Sequence, residues 1–212
     1  MKSMLKLIGV VLFAVAFAFV ESSVVVYLRA LYYPEGFQFP LKVLSGHHLA
    51  VELAREGATI VMLATVGMVA GVTRWERFAY FLIAFGVWDI FYYVWLKVAI
   101  GWPASIFDWD ILFLIPVPWI GPVIAPVLVS VLMIVAGFLI LHRDHHHGVF
   151  RVPLKVWITA LAGTAVILLS FMIDTAATLE VQPPKPYRYE LLAAGIALYL
   201  VAMVMAFRQK RT

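Results

Sequence analysis

The chain has 212 residues, of which 64% are hydrophobic and only 13% are charged, and its formal net charge is +4. Soluble domains carry about 25% charged residues, so this composition excludes both an ordinary soluble domain and a chain that is disordered in water. The basic residues are scattered along the chain. In a membrane protein such a distribution indicates the topology and does not indicate binding to nucleic acid. The absence of cysteine excludes a disulfide, a thiolate metal site and a cysteine nucleophile.

The N-terminal segment predicts a spanning helix in place of a cleaved signal peptide. It has a basic start followed by an apolar core, and Ala14-Val15-Ala16 could imitate a cleavage site. The apolar run continues past Glu21 to Tyr27, however, which is too long for the hydrophobic part of a signal peptide. A length of this kind suits a helix that crosses the bilayer.

Hydropathy predicts an all-α, polytopic integral membrane helix bundle that forms a single transmembrane domain over residues 1–212. Each helix can supply the roughly 20 residues needed to cross the hydrocarbon core. The six predicted helices cover residues 5–29, 47–73, 77–99, 121–141, 154–174 and 190–207. Between the third and fourth, the segment 101–120 combines several prolines with three tryptophans, which predicts an interfacial or re-entrant connection.

The distribution of basic residues predicts that both termini are cytoplasmic. Six spans place the termini on one side, and that side would carry ten of the sixteen Lys and Arg residues. Excess Lys and Arg mark the cytoplasmic face. We expect the protein to lie in the cytoplasmic membrane of a prokaryote. The ten are Lys2, Lys6, Arg74, Arg77, Arg143, Arg151, Lys155, Arg208, Lys210 and Arg211; the other six are Arg29, Lys42, Arg55, Lys97, Lys185 and Arg188.

The second predicted helix begins with a polar stripe. His48, Glu52, Arg55, Glu56 and Thr59 recur at helical spacing and fall within an arc of about 100°. Charged side chains at membrane depth are costly, so they usually face a protein interior or a wet cavity and mark a functional site.

Heights along the helices place further polar groups near this stripe. At about 1.5 Å per residue, Glu21, Asp89 and Glu56 lie about 22, 18 and 27 Å from the basic residues at the predicted cytoplasmic ends. Tyr92 and Tyr93 follow Asp89 within about one helical turn. We therefore expect a site in the outer half of helices 1–3 that opens toward the outer face.

One hypothesis for this site is a metal centre. Glu21, Glu52, Glu56 and Asp89 would supply oxygen ligands, and His48 a nitrogen ligand, with one helix offering groups at i, i+4 and i+8. Carboxylate-rich helical bundles of this kind suit a divalent transition metal such as iron, manganese or zinc. The Glu-x-x-His spacing of di-iron bundles is absent from the chain.

A second hypothesis is acid–base catalysis, and the leading functional prediction combines it with the metal. The protein would be a membrane-embedded enzyme acting on a membrane lipid or another apolar substrate. Arg55 and Arg29 would hold an anionic group of the substrate or orient the carboxylates. The predicted catalytic residues are Glu56, Asp89, Tyr92, Tyr93 and Arg55.

Two other hypotheses stay open. The ionisable groups could form the relay of a small cation- or proton-coupled transporter. Alternatively, Glu21, Glu52, Glu56 and Asp89 could form ion pairs with Arg29 and Arg55 that tie helices together in a non-catalytic subunit of a membrane complex. Protein partners are not indicated by the sequence.

Three further patterns have simpler interpretations. The tract His142-Arg143-Asp144-His145-His146-His147 predicts a solvated loop near anionic headgroups. Asp108 and Asp110 are interpreted as plain interfacial loop acids, with a role at the mouth of the site as the alternative. Small residues on the last two helices, namely Ala160, Gly163, Ala193 and Gly195, predict close helix packing.

Overall fold

The computed structural model describes residues 2–37, 46–147, 152–175 and 184–208, without the side chains of Lys2 and of residues 145–147. Several residues used in the topology argument lie outside the described residues. They are Lys42, Arg151, Lys210 and Arg211.

The prediction of a membrane-spanning helical bundle is confirmed. Within the described residues, six helices are long and apolar enough to cross a membrane. Large apolar side chains such as Leu12, Val61 and Ile158 are exposed along them, as expected for surfaces that face lipid. This is an integral membrane protein. The helices are α1 (Lys2–Tyr32), α2 (Gly46–Ala70), α3 (Arg74–Ile100), α4 (Ile124–His147), α5 (Leu154–Met172) and α6 (Tyr189–Phe207).

The junction between α2 and α3 is set by two side-chain caps, in a variant of the capping box. The Thr73 hydroxyl accepts the backbone N–H of Glu76 at 3.0 Å, and the Glu76 carboxylate accepts the N–H of Val72 at 2.6 Å. These side chains satisfy backbone donors that have no partner within the helix, so they stabilise a helix start at Arg74. The predicted start at residue 77 was late because the polar first turn resembles a loop by hydropathy alone.

The segment between α3 and α4 forms a β-hairpin, which the sequence did not predict. Strand β1 (Trp109–Phe113) pairs antiparallel with β2 (Trp119–Pro122), and Asp110 lies opposite Gly121. The segment has no helix, as its prolines indicated. Aromatic and β-branched residues favour extended pairing once helix formation is blocked.

Helix α3 lies at the centre of the bundle and packs against α1, α2 and α4. Gly86 of α3 and Gly137 of α4 allow a close approach, because a Cβ at either position would come within 3 Å of the facing helix. Helices α5 and α6 pack mainly against each other, and Gly163 and Gly195 face each other there. Ala193 is exposed, so its predicted packing role is wrong.

Candidate functional site

A cavity of about 300 Å³ lies between the ends of α1 and α3, the beginning of α2, and the β-hairpin. Much of its wall is apolar, and its polar groups come from four separate elements. They comprise five carboxylates, two arginines and four tyrosines, namely Glu21, Glu52, Glu56, Asp89, Asp110, Arg29, Arg55, Tyr32, Tyr33, Tyr92 and Tyr93. Seven of the eight sequence-predicted site residues are in this set, and His48 is not.

The polar stripe of α2 is the buried face of that helix. Glu52, Glu56 and Thr59 are buried, and Leu63 and Gly67 continue the same face toward the other side of the membrane. One helical face thus changes from ionisable to apolar along its length, so the buried charged groups of α2 lie near its beginning.

Arg55 joins two carboxylates on different helices. Its Nε and Nη2 donate to Oε2 of Glu52 at 2.9 and 2.7 Å, and its Nη1 pairs with Oε1 of Glu21 on α1. The Thr59 hydroxyl donates to the other oxygen of Glu21 at 3.1 Å. The Arg55 guanidinium therefore holds the carboxylates of Glu21 and Glu52 in place within the cavity wall.

Arg29 forms a second buried ion pair. Its Nη2 lies 3.0 Å from Oδ1 of Asp110 in β1. The guanidinium carbon is 4.3 Å from the ring centre of Phe37 and 3.7 Å from that of Trp102, so the cation is held between two aromatic faces. The pair links α1 to the hairpin at the cavity wall.

Asp110 belongs to the site, which corrects its interpretation as a plain loop acid. It is 2% exposed and pairs with Arg29. Burial raises the pKa of Asp110 to about 6, although the guanidinium of Arg29, the N–H of Ile111 and the hydroxyl of Tyr93 all act to lower it. Asp108 instead accepts the backbone N–H groups of Ala104 and Ser105 and shapes the loop.

Glu56 and Asp89 each hold a group from another element. Both oxygens of Glu56 accept the N–H of Leu114, at 3.0 and 2.9 Å, which ties α2 to the connection after β1. The Ser130 hydroxyl of α4 donates to Oδ2 of Asp89 at 2.8 Å. Neither Leu114 nor Ser130 was predicted as a site residue, because a backbone N–H and a lone serine carry no sequence signal.

The two predicted proton donors lie side by side. The rings of Tyr92 and Tyr93 are 4.9 Å apart and nearly perpendicular, and both residues line the cavity. Tyr93 also packs near Trp102, with ring centres 6.2 Å apart. A pair of phenols beside several carboxylates provides groups that can give and accept protons within one pocket.

His48 does not line the cavity. It is exposed, and its Nδ1 lies 2.6 Å from the hydroxyl of Tyr32. Among the described residues, no three His, Asp or Glu side chains come together in a group that could hold a metal ion. The metal-ligand prediction for Glu21, His48, Glu52, Glu56 and Asp89 therefore has no support from the geometry.

Comparison with known proteins identifies no relative from which a role could be transferred. No protein-family model, curated protein or solved structure matches the chain.

Proposed function

We propose that this protein is a membrane-embedded enzyme that uses acid–base chemistry on a membrane lipid or another apolar substrate. The observation that supports the proposal is the cavity between α1, α2, α3 and the hairpin, whose wall is largely apolar and whose polar side chains converge from four elements. A well-formed pocket of this composition is the usual form of a small-molecule site. Ionisable groups at membrane depth are costly, so their presence favours a functional role.

The proposed roles follow from the contacts of each side chain. Asp89 and Glu56 would accept or donate a proton, and Tyr92 and Tyr93 would act as proton donors. Arg55 would hold Glu21 and Glu52 in place, and Arg29 would hold Asp110.

This form of the proposal does not depend on a metal ion. Glu21 and Glu52 are engaged by Arg55, and Glu56 is engaged by the N–H of Leu114, so these carboxylates are oriented for pairing. A bound iron, manganese or zinc ion remains the alternative cofactor. Elemental analysis of the purified protein tests it, since a stoichiometric metal that is lost in Glu52→Ala would restore the metal hypothesis.

The proposal includes an orientation in the membrane. With both termini in the cytoplasm of a prokaryote, the cavity would face the outer leaflet and the hairpin would lie at the outer interface. Because the natural chain has no cysteine, single-cysteine variants can be labelled without background. In intact cells a membrane-impermeant maleimide should label Ser105→Cys and leave Arg208→Cys unlabelled; the reverse pattern would overturn the orientation.

Catalysis is tested in vesicles that contain the protein and a defined mixture of phosphatidylethanolamine, phosphatidylglycerol and cardiolipin, supplemented with lipid extract from the source cells. Mass spectrometry of the lipids over time should reveal a product with the wild type, and the rate should fall at least about 100-fold in Asp89→Asn and Tyr92→Phe. Glu190→Gln changes an exposed acid that does not line the cavity, so it is the matched control and should retain full turnover. Absence of any product, or equal turnover in all variants, contradicts the proposal.

A structural role is the second candidate, and the bridging contacts favour it. Glu21–Arg55 joins α1 to α2, and Asp110–Arg29 joins α1 to the hairpin. In a non-catalytic subunit, Glu52→Gln would lower thermal stability and alter no activity. Proton flux into the same vesicles that disappears in Asp89→Asn would instead identify a transporter.

A further inference from the structure

A second cavity, of about 340 Å³, lies at the opposite end of the bundle from the charged site. It separates the pair α3–α4 from the pair α5–α6, near the side on which both termini lie. Its described walls are made almost entirely of apolar side chains, including Leu82, Met133, Val156 and Ala202. The two helix pairs make few direct contacts, so the cavity is a cleft between them.

The two hydroxyl groups that line this cleft are already hydrogen-bonded. The hydroxyls of Thr164 and Tyr199 lie 2.6 Å apart, and Thr164 also donates to the carbonyl of Ala160. A polar ligand would therefore lose its hydration without gaining hydrogen bonds from the described walls. Because the surrounding solvent at this depth is hydrocarbon, a lipid acyl chain is the molecule that fills such a cleft and recovers the missing dispersion contacts.

Interfacial side chains frame the mouth of the cleft. Trp75 of α3 stacks on Trp157 of α5 with ring centres 6.2 Å apart. Across the cleft, Arg143 of α4 donates to the carbonyl of Phe207 in α6 at 3.0 Å. Tryptophan and arginine are the side chains that anchor helices at the headgroup level, which places the mouth at the membrane interface.

The rim of the mouth is positively charged. Arg74, Lys155 and Arg208 directly adjoin lining residues in the chain, are exposed, and form no ion pair with any described residue. Two acids lie at this end as well, but each accepts a hydrogen bond of its own. Glu76 accepts the N–H of Val72, and Asp144 accepts the hydroxyl of Thr73.

We propose that this cleft binds an anionic phospholipid from the leaflet on the side of the termini. One acyl chain occupies the space between the helix pairs, and the phosphate lies against Arg74, Lys155 and Arg208. This lipid site is separate from the charged cavity and does not depend on the proposed enzymatic function.

The test uses the full-length protein in mild detergent, with phosphatidylglycerol and phosphatidylcholine of identical acyl chains as probes. Native mass spectrometry should show phosphatidylglycerol bound at least tenfold more tightly than phosphatidylcholine, and its addition should raise the melting temperature. Arg74→Gln/Lys155→Gln should remove most of this preference, since each Lys or Arg near the headgroups contributes about fivefold. Arg188→Gln/Lys185→Gln removes two exposed charges at the other end and should leave the preference unchanged.

A second variant tests whether an acyl chain occupies the cleft, independently of the positively charged rim. Ala160 lines the cleft, so Ala160→Phe should fill part of it and weaken the binding of both lipids. The control variant Arg188→Gln/Lys185→Gln should bind both lipids as the wild type does. Equal binding of the two lipids by the wild type would overturn the proposal. So would an unchanged preference in Arg74→Gln/Lys155→Gln, which alters only exposed side chains and is expected to fold.

Discussion

Arg29 and Asp110 form an ion pair in which both side chains are more than nine-tenths buried, with Nη2 3.0 Å from Oδ1. Arg29→Met leaves the buried Asp110 carboxylate without its counter-charge and should lower the free energy of unfolding by about 3–5 kcal/mol. The double variant Arg29→Met/Asp110→Leu leaves no uncompensated charge and should recover much of that loss. Denaturant titration in mixed micelles measures the wild type and both variants, and a loss in the double variant as large as that in Arg29→Met would contradict the pairing.

The protonation of Asp110 should make stability depend on pH. Its pKa is raised to about 6 in the folded protein, above the ordinary value of about 3.9, so the folded state binds this proton more tightly than the unfolded state. The contribution of Asp110 to stability is therefore least favourable above pH 6 and improves as the pH falls from about 6 to about 4. Melting curves across this range should show the trend in the wild type and a smaller one in Asp110→Asn.

The contact between Glu56 and the N–H of Leu114 should control the stability of the connection after β1. Glu56→Ala removes the acceptor from a partly buried donor, which should cost about 1–3 kcal/mol. Glu56→Gln keeps an acceptor oxygen and should cost less. Limited proteolysis should cut residues 113–118 faster in Glu56→Ala than in the wild type or in the control Glu190→Gln. Equal cleavage of these three proteins would show that the contact does not hold the segment.

Close packing of α3 on α4 should make Gly86 sensitive to a single methyl group. A Cβ at Gly86 would lie 2.6 Å from the carbonyl oxygen of Ser130, whose hydroxyl holds Asp89. Gly86→Ala should therefore destabilise the protein by about 1–3 kcal/mol. Gly57→Ala is the matched control, because no atom lies within 4 Å of its added Cβ. It should be neutral or slightly stabilising, and equal melting temperatures for the two variants would contradict the packing.

Much of the fold was accessible from hydropathy. The six spans follow from apolar length, since a helix that satisfies its own backbone can cross the bilayer without partners. The hairpin at 109–122 was not accessible, because its prolines indicated only where a helix could not form. The connection over residues 114–118 contains two prolines and lacks the Asn-Gly or Asp-Gly turn that identifies a tight hairpin in a sequence.

The candidate site was likewise predictable from the sequence only in part. The polar stripe of α2 and the shared height of Glu21, Glu56 and Asp89 are properties of helical spacing and rise, so the sequence by itself determined which end of the bundle carries the buried carboxylates. Only the tertiary structure decided the partners: Arg55 with Glu21 and Glu52, Arg29 with Asp110, Glu56 with Leu114, and Asp89 with Ser130. Helical periodicity defines a face and a depth, but hydrogen bonds require positions within about 3 Å, which depend on how separate elements pack against one another.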